Sequence, residues 1–255
     1  MQIVGYETAD APDDQPALLI ADDGAVRTEL LPAGTDLSYQ LGRRHCAGTI
    51  EYETSVHTSC DRESVPYCDR HTSRWACARC TGDCSLPLES CREEHAIYLA
   101  AFAPATFKVG VTRSWRLETR LREQGADRAA HLRTVEDGRI ARQIEADIAT
   151  EIGDRVRVDH KRRGLHRALD TEQWEALLAE YDPIETFCFE YGFDLDARPM
   201  AEHLASGTVR GSQGRLLVLE RDGTVYAVDL RELVGYELES GETDRQLQSS
   251  FAAFE

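Results

Sequence analysis

Lysine is almost missing from this chain of 255 residues, because only Lys108 and Lys161 occur among its 29 basic side chains. The 46 aspartates and glutamates give a formal net charge of -17. Such an acidic, arginine-based composition is typical of extreme halophiles, in which about 1 M salt shortens the Debye length to roughly 3 Å. We therefore expect a halophilic protein whose carboxylates keep its surface hydrated. The alternative is an ordinary acidic protein from a GC-rich genome.

Long apolar segments are also absent, since no run approaches the roughly 18 residues that a membrane-spanning helix needs. The first residues, MQIVGYETADAPDD, contain neither the basic nor the apolar segment of a secretory signal. These absences predict a cytoplasmic protein with no membrane partner. They leave its oligomeric state open.

Cysteine, by contrast, is concentrated, because seven of the eight lie within Cys46–Cys91. Steps such as Cys68-x2-His71 and Cys77-x2-Cys80 place two ligands on one tight turn, as a tetrahedral zinc ion requires. A disulfide framework is the competing interpretation. It needs an oxidising compartment, which no secretion signal supports.

The ligands divide into two sets of four, which predict one or two structural zinc ions. The first set is Cys46, Cys60, Cys68 and His71, and the second is Cys77, Cys80, Cys84 and Cys91. Interleaved pairing and replacement of a first-set ligand by His57 are alternatives. Four protein ligands leave no open position for water, so we expect zinc to support the fold. The eighth cysteine, Cys188, is expected to be a buried core thiol.

Local patterns predict an α+β protein. The expected segments are a small β module (1–45), a Cys/His zinc-binding segment (46–94), an α/β core (95–168), a helix with a C-terminal β meander (169–240) and a tail (241–255). In the core, strands at Ala96–Phe102 and Thr106–Thr112 precede a helix that Gly125 ends. The helical spacing of Trp115 and Trp174 favours their packing inside the protein, and the alternative is that they stack on bases.

Positive charge is concentrated between Arg113 and Arg167, a segment with 14 basic and 10 acidic residues. Its net charge is +4, whereas the rest of the chain has a net charge of -21. A basic island in an acidic chain indicates an anionic ligand such as DNA or RNA. The alternative is a helix surface of opposite-charge pairs. Residues 155–164 are interpreted as a phosphate-contacting strand and loop, with a solvated surface loop as the alternative. The residues predicted to contact nucleic acid are Arg113, Arg116, Arg155, Arg157, Lys161, Arg162 and Arg163.

Two resemblances add to these patterns. Ala96-Ile97-Tyr98, followed after nine residues by Lys108-Val109-Gly110, resembles the paired-strand motif of GIY-YIG nucleases over about residues 95–150. Lys108 replaces the second tyrosine of that motif. The wider set YLAAF, KVGVTR, RLREQGAD and RGSQGRLLVL resembles an uncharacterised prokaryotic family with a cysteine-rich zinc segment. That family has no assigned function.

The nuclease resemblance implies a GIY-YIG-like core with Tyr98, Lys108, Arg120 and Glu145 as catalytic residues. Glu145 would hold Mg²⁺ or Mn²⁺, Tyr98 would orient or deprotonate the attacking water, and Arg120 would neutralise charge on the phosphate. The expected function is nucleic-acid binding by a zinc protein, with metal-dependent endonuclease activity as the open point. The alternatives are a non-catalytic DNA- or RNA-binding zinc protein and a protein–protein adaptor built on a nuclease relic.

Overall fold

A computed structural model describes residues 1–11, 14–72, 82–84, 89–241 and 243 of the chain. The chain divides into two compact units. The first contains Met1–Ser73, Tyr191–Phe193 and Pro199–Glu255, and the second contains Arg74–Glu190 and Asp194–Arg198. Both ends of the sequence therefore build the first unit.

The elements follow one another along the chain in three groups. The first strands are β1 (Gln2–Glu7), β2 (Ala17–Asp22), β3 (Ala25–Leu30), β4 (Asp36–Arg44), β5 (Thr49–Glu51) and β6 (Val56–Thr58). The middle group is a 3-10 turn (Glu89–Arg92), β7 (His95–Phe102), β8 (Thr106–Arg113), a 3-10 turn (Ser114–Arg116), α1 (Leu117–Gln124), β9 (Arg128–Val135), α2 (Gly138–Ala149), α3 (Val158–Gly164), α4 (Thr171–Leu178) and β10 (Glu185–Cys188). The last group is β11 (Met200–Ala201), β12 (Ala205–Gln213), β13 (Leu216–Arg221), β14 (Thr224–Asp229), α5 (Leu230–Leu233) and β15 (Tyr236–Ser240).

The first unit is organised around one sheet of eleven strands in the order β11-β14-β13-β12-β4-β15-β1-β2-β3-β6-β5. β4 joins the two ends of the chain, because its Tyr39 pairs with Ala205 of β12 and with Ser240 of β15. Apolar side chains from both ends, such as Ile20 and Leu217, belong to one buried core. Strands from the N-terminal and C-terminal parts of the chain thus share one sheet and one core, and β4 connects them.

The expected α+β class is wrong. Of the residues that the structure describes, strands hold 39% and helices 20%, and most strands belong to the eleven-stranded sheet. The segments ALLIA and LSYQLG do form strands, in β2 and β4. Their partners, however, lie far away along the chain, as the separation of 172 positions between the hydrogen-bonded Asp36 and Thr208 shows. Local sequence patterns do not encode pairing over such separations.

The second unit contains a four-stranded antiparallel sheet in the order β10-β9-β7-β8. On one face, Ile97 and Leu99 of β7 pack with Ile144 of α2 and Trp174 of α4. Alternate strand residues point to the other face, so Tyr98 of β7 lies opposite α2. The expected core position of Trp174 is confirmed, since this side chain is buried.

Several local signals lie where the sequence places them. Gly125 ends α1 with a left-handed backbone (φ 68°), a conformation that costs glycine little. The tight turn between β13 and β14 places Asp222 and Gly223 at φ 49° and 71°, as a two-residue hairpin turn requires. Residues 155–164, however, are not a strand and loop, because α3 occupies Val158–Gly164.

No helix in the described part of the chain is long and apolar enough to cross a membrane.

Candidate metal centre and basic face

The first predicted ligand set converges in the first unit. Cys46 follows β4, Cys60 follows β6, and Cys68 and His71 lie on one turn further along the chain. Backbone hydrogen bonds hold these segments together, as Cys46 N–H donates to the carbonyl of Arg62 at 2.8 Å. The strand ends and the turn therefore bring three thiols and one imidazole to the same point.

The four side chains form a compact group, hereafter the metal centre. All four ligand atoms lie within 4.8 Å of one another. The Sγ atoms of Cys60 and Cys68 are 4.0 Å apart, and His71 Nδ1 lies 3.3 Å from Cys46 Sγ and 3.4 Å from Cys68 Sγ. A tetrahedral ion about 2.3 Å from each sulfur would separate two sulfurs by about 3.8 Å. The group could hold a metal ion such as zinc.

Backbone N–H groups point at the thiol sulfurs. Burial raises the pKa of the Cys46 thiol, although the N–H groups of Cys68 and Gly48 hydrogen-bond to its sulfur and stabilise the thiolate. Burial also acts to raise the pKa of Cys68, but N–H donation from Arg70 and His71, together with hydrogen bonds from the Cys46 and Cys60 thiols, outweighs it and lowers that pKa. Such donors favour the thiolate form that binds metal.

Two buried polar residues, His45 and Gln2, hydrogen-bond to the segments that carry the ligands. His45 Nδ1 lies 2.9 Å from the carbonyl oxygen of Cys60, and its Nε2 lies 3.1 Å from Glu237 Oε1. The amide of Gln2 donates to the carbonyls of Cys46 and Gly235. These bonds attach two ligand-bearing segments to the sheet, and they fix the backbone from which the ligands project.

The alternative ligand His57 is not part of this group, because its Nε2 lies 2.8 Å from the carbonyl oxygen of Ala47. His57 also borders Gly48, where φ is 67° and an added Cβ would lie 2.0 Å from the carbonyl oxygen of Thr58. Glycine is therefore required at position 48 beside the metal centre. The structure favours the first ligand set as the sequence divides it.

The second predicted set is described in part. Cys77 and Cys80 lie outside the described residues, whereas Cys84 and Cys91 lie within them as free cysteines. Cys188 is exposed at the end of β10, where Arg128 contacts its sulfur, so the prediction of a buried core thiol is wrong. Strand β10 lies at the edge of the four-stranded sheet.

Three of the four residues that the nuclease resemblance singles out meet on one face of the second unit. Tyr98 is buried, and its ring covers Gly110 on the neighbouring strand, where an added Cβ would lie 2.5 Å from Tyr98. Arg120 hydrogen-bonds to Tyr98, and Gln124 Nε2 donates to the phenol oxygen at 2.7 Å. Lys108 Nζ lies 5.9 Å from the Tyr98 ring centroid.

The fourth residue, Glu145, has different surroundings. It lies on α2, which packs on the sheet face opposite Tyr98. Its carboxylate forms an ion pair with Arg142 at 2.6 Å, and its side chain is mostly buried. The structure thus gathers Tyr98, Lys108 and Arg120, and it pairs Glu145 within its own helix.

Cations outnumber carboxylates around α1. Arg116 and Arg120 share the single carboxylate of Glu123, at 2.6 and 2.9 Å. Arg113 pairs with Glu93 at 3.3 Å. With Lys108, these side chains place four cations beside two carboxylates. We call Lys108, Arg113, Arg116 and Arg120 the basic face. The name denotes a series of neighbouring cations rather than one face of the sheet, because Arg113 ends β8 and approaches Arg116 only across the Trp115 ring.

The prediction that Trp115 packs inside the protein is wrong. This residue is 70% exposed rather than buried, and the guanidinium carbons of Arg113 and Arg116 lie 5.1 and 5.9 Å from its ring centroid. A signal was present, because the buried positions of α1 are Leu117 and Leu121, and Trp115 does not continue their spacing of four.

The remaining predicted contacts lie on or before α3. Arg162 and Arg163 both pair with Asp159. Their guanidinium groups lower the pKa of that carboxyl, although burial acts to raise it. Lys161 Nζ donates to the carbonyl of Gln124 at 2.7 Å and lies 4.1 Å from the Phe102 ring centroid. Two more predicted residues flank this group: Arg155, which is exposed and lies 3.5 Å from the carboxylate of Asp154, and Arg157, which immediately precedes α3.

Comparison with known proteins gives a family without a function. The model of one family, described as "Protein of unknown function (DUF2797)", matches residues 34–238. No curated protein and no solved structure matches the chain. The matched range includes the metal centre and the basic face. The resemblance to an uncharacterised family is confirmed, whereas the nuclease and halophile assignments stay predictions.

Proposed function

Since the chain belongs to the DUF2797 family of proteins of unknown function, its role must be argued from its sites, and we propose a zinc-stabilised protein that binds nucleic acid without cleaving it. The observation that carries this proposal is the sharing of Glu123 by Arg116 and Arg120 next to Lys108. It leaves a local cation surplus on a protein whose net charge is -17.

The zinc part of the proposal rests on ligand chemistry. Three thiols and one imidazole nitrogen form a soft, four-ligand set, which suits zinc better than magnesium or calcium. Four protein ligands fill a tetrahedral shell and leave no position for substrate. Bound zinc would therefore stabilise the first unit, and a second zinc on Cys77, Cys80, Cys84 and Cys91 stays a prediction.

The nucleic-acid part rests on charge and donor geometry. Guanidinium groups present planar pairs of N–H donors that suit phosphate oxygens. Three of them come from Arg113 at the end of β8, Arg116 of the 3-10 turn and Arg120 of α1. Lys108 adds a compact ammonium group, for which the described residues contain no ion pair. A polyanion with regularly spaced phosphates would satisfy several of these cations together.

Cleavage is not part of the proposal because of the position of Glu145. A metal-dependent nuclease needs its carboxylate beside the tyrosine and arginine that act on the phosphate. Here the Glu145 carboxylate is paired with Arg142, and its helix packs on the opposite face of the sheet from Tyr98. Cleavage, which only the nuclease resemblance implies, is tested separately by incubation with Mg²⁺ or Mn²⁺ beside a Glu145→Gln variant.

Binding is tested with the zinc-loaded protein and fluorescent random-sequence DNA and RNA, measured by anisotropy from 50 to 500 mM KCl. We expect the double change Arg116→Gln and Arg120→Gln to weaken binding to all sequences. If both arginines contact phosphate, the slope of log affinity against log salt should fall by about 2. Arg210→Gln is the matched control, because Arg210 forms an exposed one-to-one pair with Glu220 in the first unit.

Absence of any binding at 50 mM KCl by the folded, metal-loaded protein would overturn the proposal and support the adaptor alternative. Binding accompanied by metal-dependent cleavage that Glu145→Gln abolishes would replace it with the endonuclease. An equal loss of affinity in the Arg210→Gln control would show that the effect comes from overall charge rather than from the basic face.

A further inference from the structure

Trp115 stands out among the exposed apolar side chains of the second unit. It is 70% exposed on the 3-10 turn between β8 and α1, while its neighbour Leu117 is buried. A single exposed apolar residue is ordinary on a protein surface. An exposed indole is less ordinary, because it carries one of the largest apolar areas of any side chain.

The indole is also held in place. Its Nε1 donates to Glu93 Oε2 at 3.2 Å, and the same carboxylate pairs with Arg113. The guanidinium groups of Arg113 and Arg116 lie at cation–π distances from the ring. A ring held by one hydrogen bond and two cations loses less freedom on binding than a freely rotating side chain does.

Building on the proposed function, we propose that Trp115 stacks on an unpaired base, so that the ligand of the basic face is single-stranded nucleic acid. An exposed indole offers a flat π surface, and an unpaired base offers a matching one. In a duplex the faces of the bases are covered by their neighbours in the stack. The phosphates of a duplex could therefore bind the cations of the basic face, but a duplex would offer no base to stack on Trp115.

The cations beside the ring suit this ligand. A base on Trp115 carries its phosphates on either side, and Arg113 and Arg116 flank the tryptophan along the chain. Arg120 follows one helical turn after Arg116, and the two are joined through Glu123. Tyr98 connects these arginines to Lys108, because it contacts both Arg120 and Lys108. Single-stranded DNA and RNA share the chemistry recognised here.

The experiment compares 15-nucleotide single-stranded DNA and RNA with hairpin duplexes of each, by anisotropy at 0.1 and 1 M KCl. We expect single strands to bind more tightly than duplexes, and Trp115→Ala to weaken single-strand binding by roughly 5- to 150-fold, the usual range for loss of one base–aromatic stack. Trp115→Phe should keep most of the affinity. Tyr52→Ala is the matched control, since Tyr52 is an aromatic residue that is 75% exposed in the first unit.

Stacking should also quench tryptophan fluorescence on addition of single strands, and Trp115→Ala should abolish that quenching. Duplexes that bind as tightly as single strands, together with an unchanged Trp115→Ala variant, would overturn this inference and leave the proposed function standing. Failure of every nucleic acid to bind would instead overturn the proposed function. Because Trp115 is exposed, an unchanged thermal midpoint in Trp115→Ala shows that folding is intact.

Discussion

At the scale of single residues, the metal centre depends on backbone N–H groups as well as on its four ligands. Cys68 N–H donates to Cys46 Sγ at 3.2 Å, and the N–H groups of Arg70 and His71 point at Cys68. A turn of the form Cys-x2-His supplies these donors because its backbone wraps around the first sulfur. The short spacing that identifies the ligands in the sequence therefore also stabilises their thiolates.

Replacement of one ligand should release the metal and destabilise the first unit. We expect Cys46→Ser to bind one zinc fewer per chain than the unchanged protein. It should also lose about 3–5 kcal/mol of unfolding free energy, because the metal no longer joins three chain segments. The measurements are elemental analysis and urea unfolding of metal-loaded protein. Cys188→Ser, a change at an exposed cysteine, is the control, and equal zinc content in both variants would contradict the assignment.

Close packing of Tyr98 on Gly110 gives a second prediction at this scale. An added Cβ at position 110 would lie 2.5 Å from the phenol ring, so Gly110→Ala should displace Tyr98 and break its hydrogen bond from Gln124. We expect a loss of about 1–3 kcal/mol in urea unfolding. In the control, Gly5→Ala, the new Cβ would meet the flexible end of Leu19 at 3.0 Å. A loss no larger than that of the control would count against the packing described.

At the scale of elements, the caps of the helices show where local chemistry is sufficient. Asp170 precedes α4, and its carboxylate accepts hydrogen bonds from the backbone N–H and side-chain amide of Gln173. These bonds lower the pKa of Asp170. A lowered folded-state pKa means that stability is present above the unfolded pKa of about 3.9 and is lost as pH falls through the folded value.

Removal of this cap should therefore act in a pH-dependent way. We expect Asp170→Ala to lower the thermal midpoint at pH 7, with a difference that closes below about pH 4 as the carboxylate of the unchanged protein becomes protonated. Asp170→Asn, which retains a capping oxygen without the charge, should keep part of the stability at pH 7. A difference of constant size from pH 7 to pH 3 would show that the carboxylate charge contributes nothing.

The elements that the sequence predicts correctly are those with a local physical signal, such as Gly125 at the end of α1. The segment before Gly164 misleads because Arg-Val-Arg-Val alternates like a strand. Tertiary packing decides it: α3 brings Gly164 so close to Ala103 that an added Cβ would lie 2.0 Å from the carbonyl oxygen. That approach involves residues 61 positions apart, which no local window contains.

At the scale of the whole molecule, the sheet explains why the fold class escapes prediction. The strands before and after the second unit look like two small β modules, and each has its own turns and alternation. They form one sheet only because β4 pairs with β12 and β15. The sequence around Tyr39 contains no signal that this residue pairs with Ala205 and Ser240. The metal centre was easier to predict, because its ligands lie close together in the chain and zinc accepts few side-chain types.

Net charge gives the last prediction, which belongs to the whole molecule. With a net charge of -17, mutual repulsion among carboxylates opposes folding at low ionic strength. The Debye length falls from about 10 Å at 0.1 M to about 3 Å at 1 M salt, so this repulsion is then largely screened. We expect the thermal midpoint of the metal-loaded protein to rise between 0.1 and 2 M KCl. A constant or falling midpoint would contradict the halophile prediction.

The same salt series separates the two parts of nucleic-acid binding. Contacts between arginine and phosphate weaken steeply as salt rises, because the counterions that binding releases gain less entropy in a more concentrated solution. Stacking on Trp115 depends much less on salt. We therefore expect the affinity lost on Trp115→Ala to be a larger share of the total at 1 M KCl than at 0.1 M, as measured by anisotropy. If duplex and single strand instead become equally weak at 1 M KCl, charge alone explains the binding.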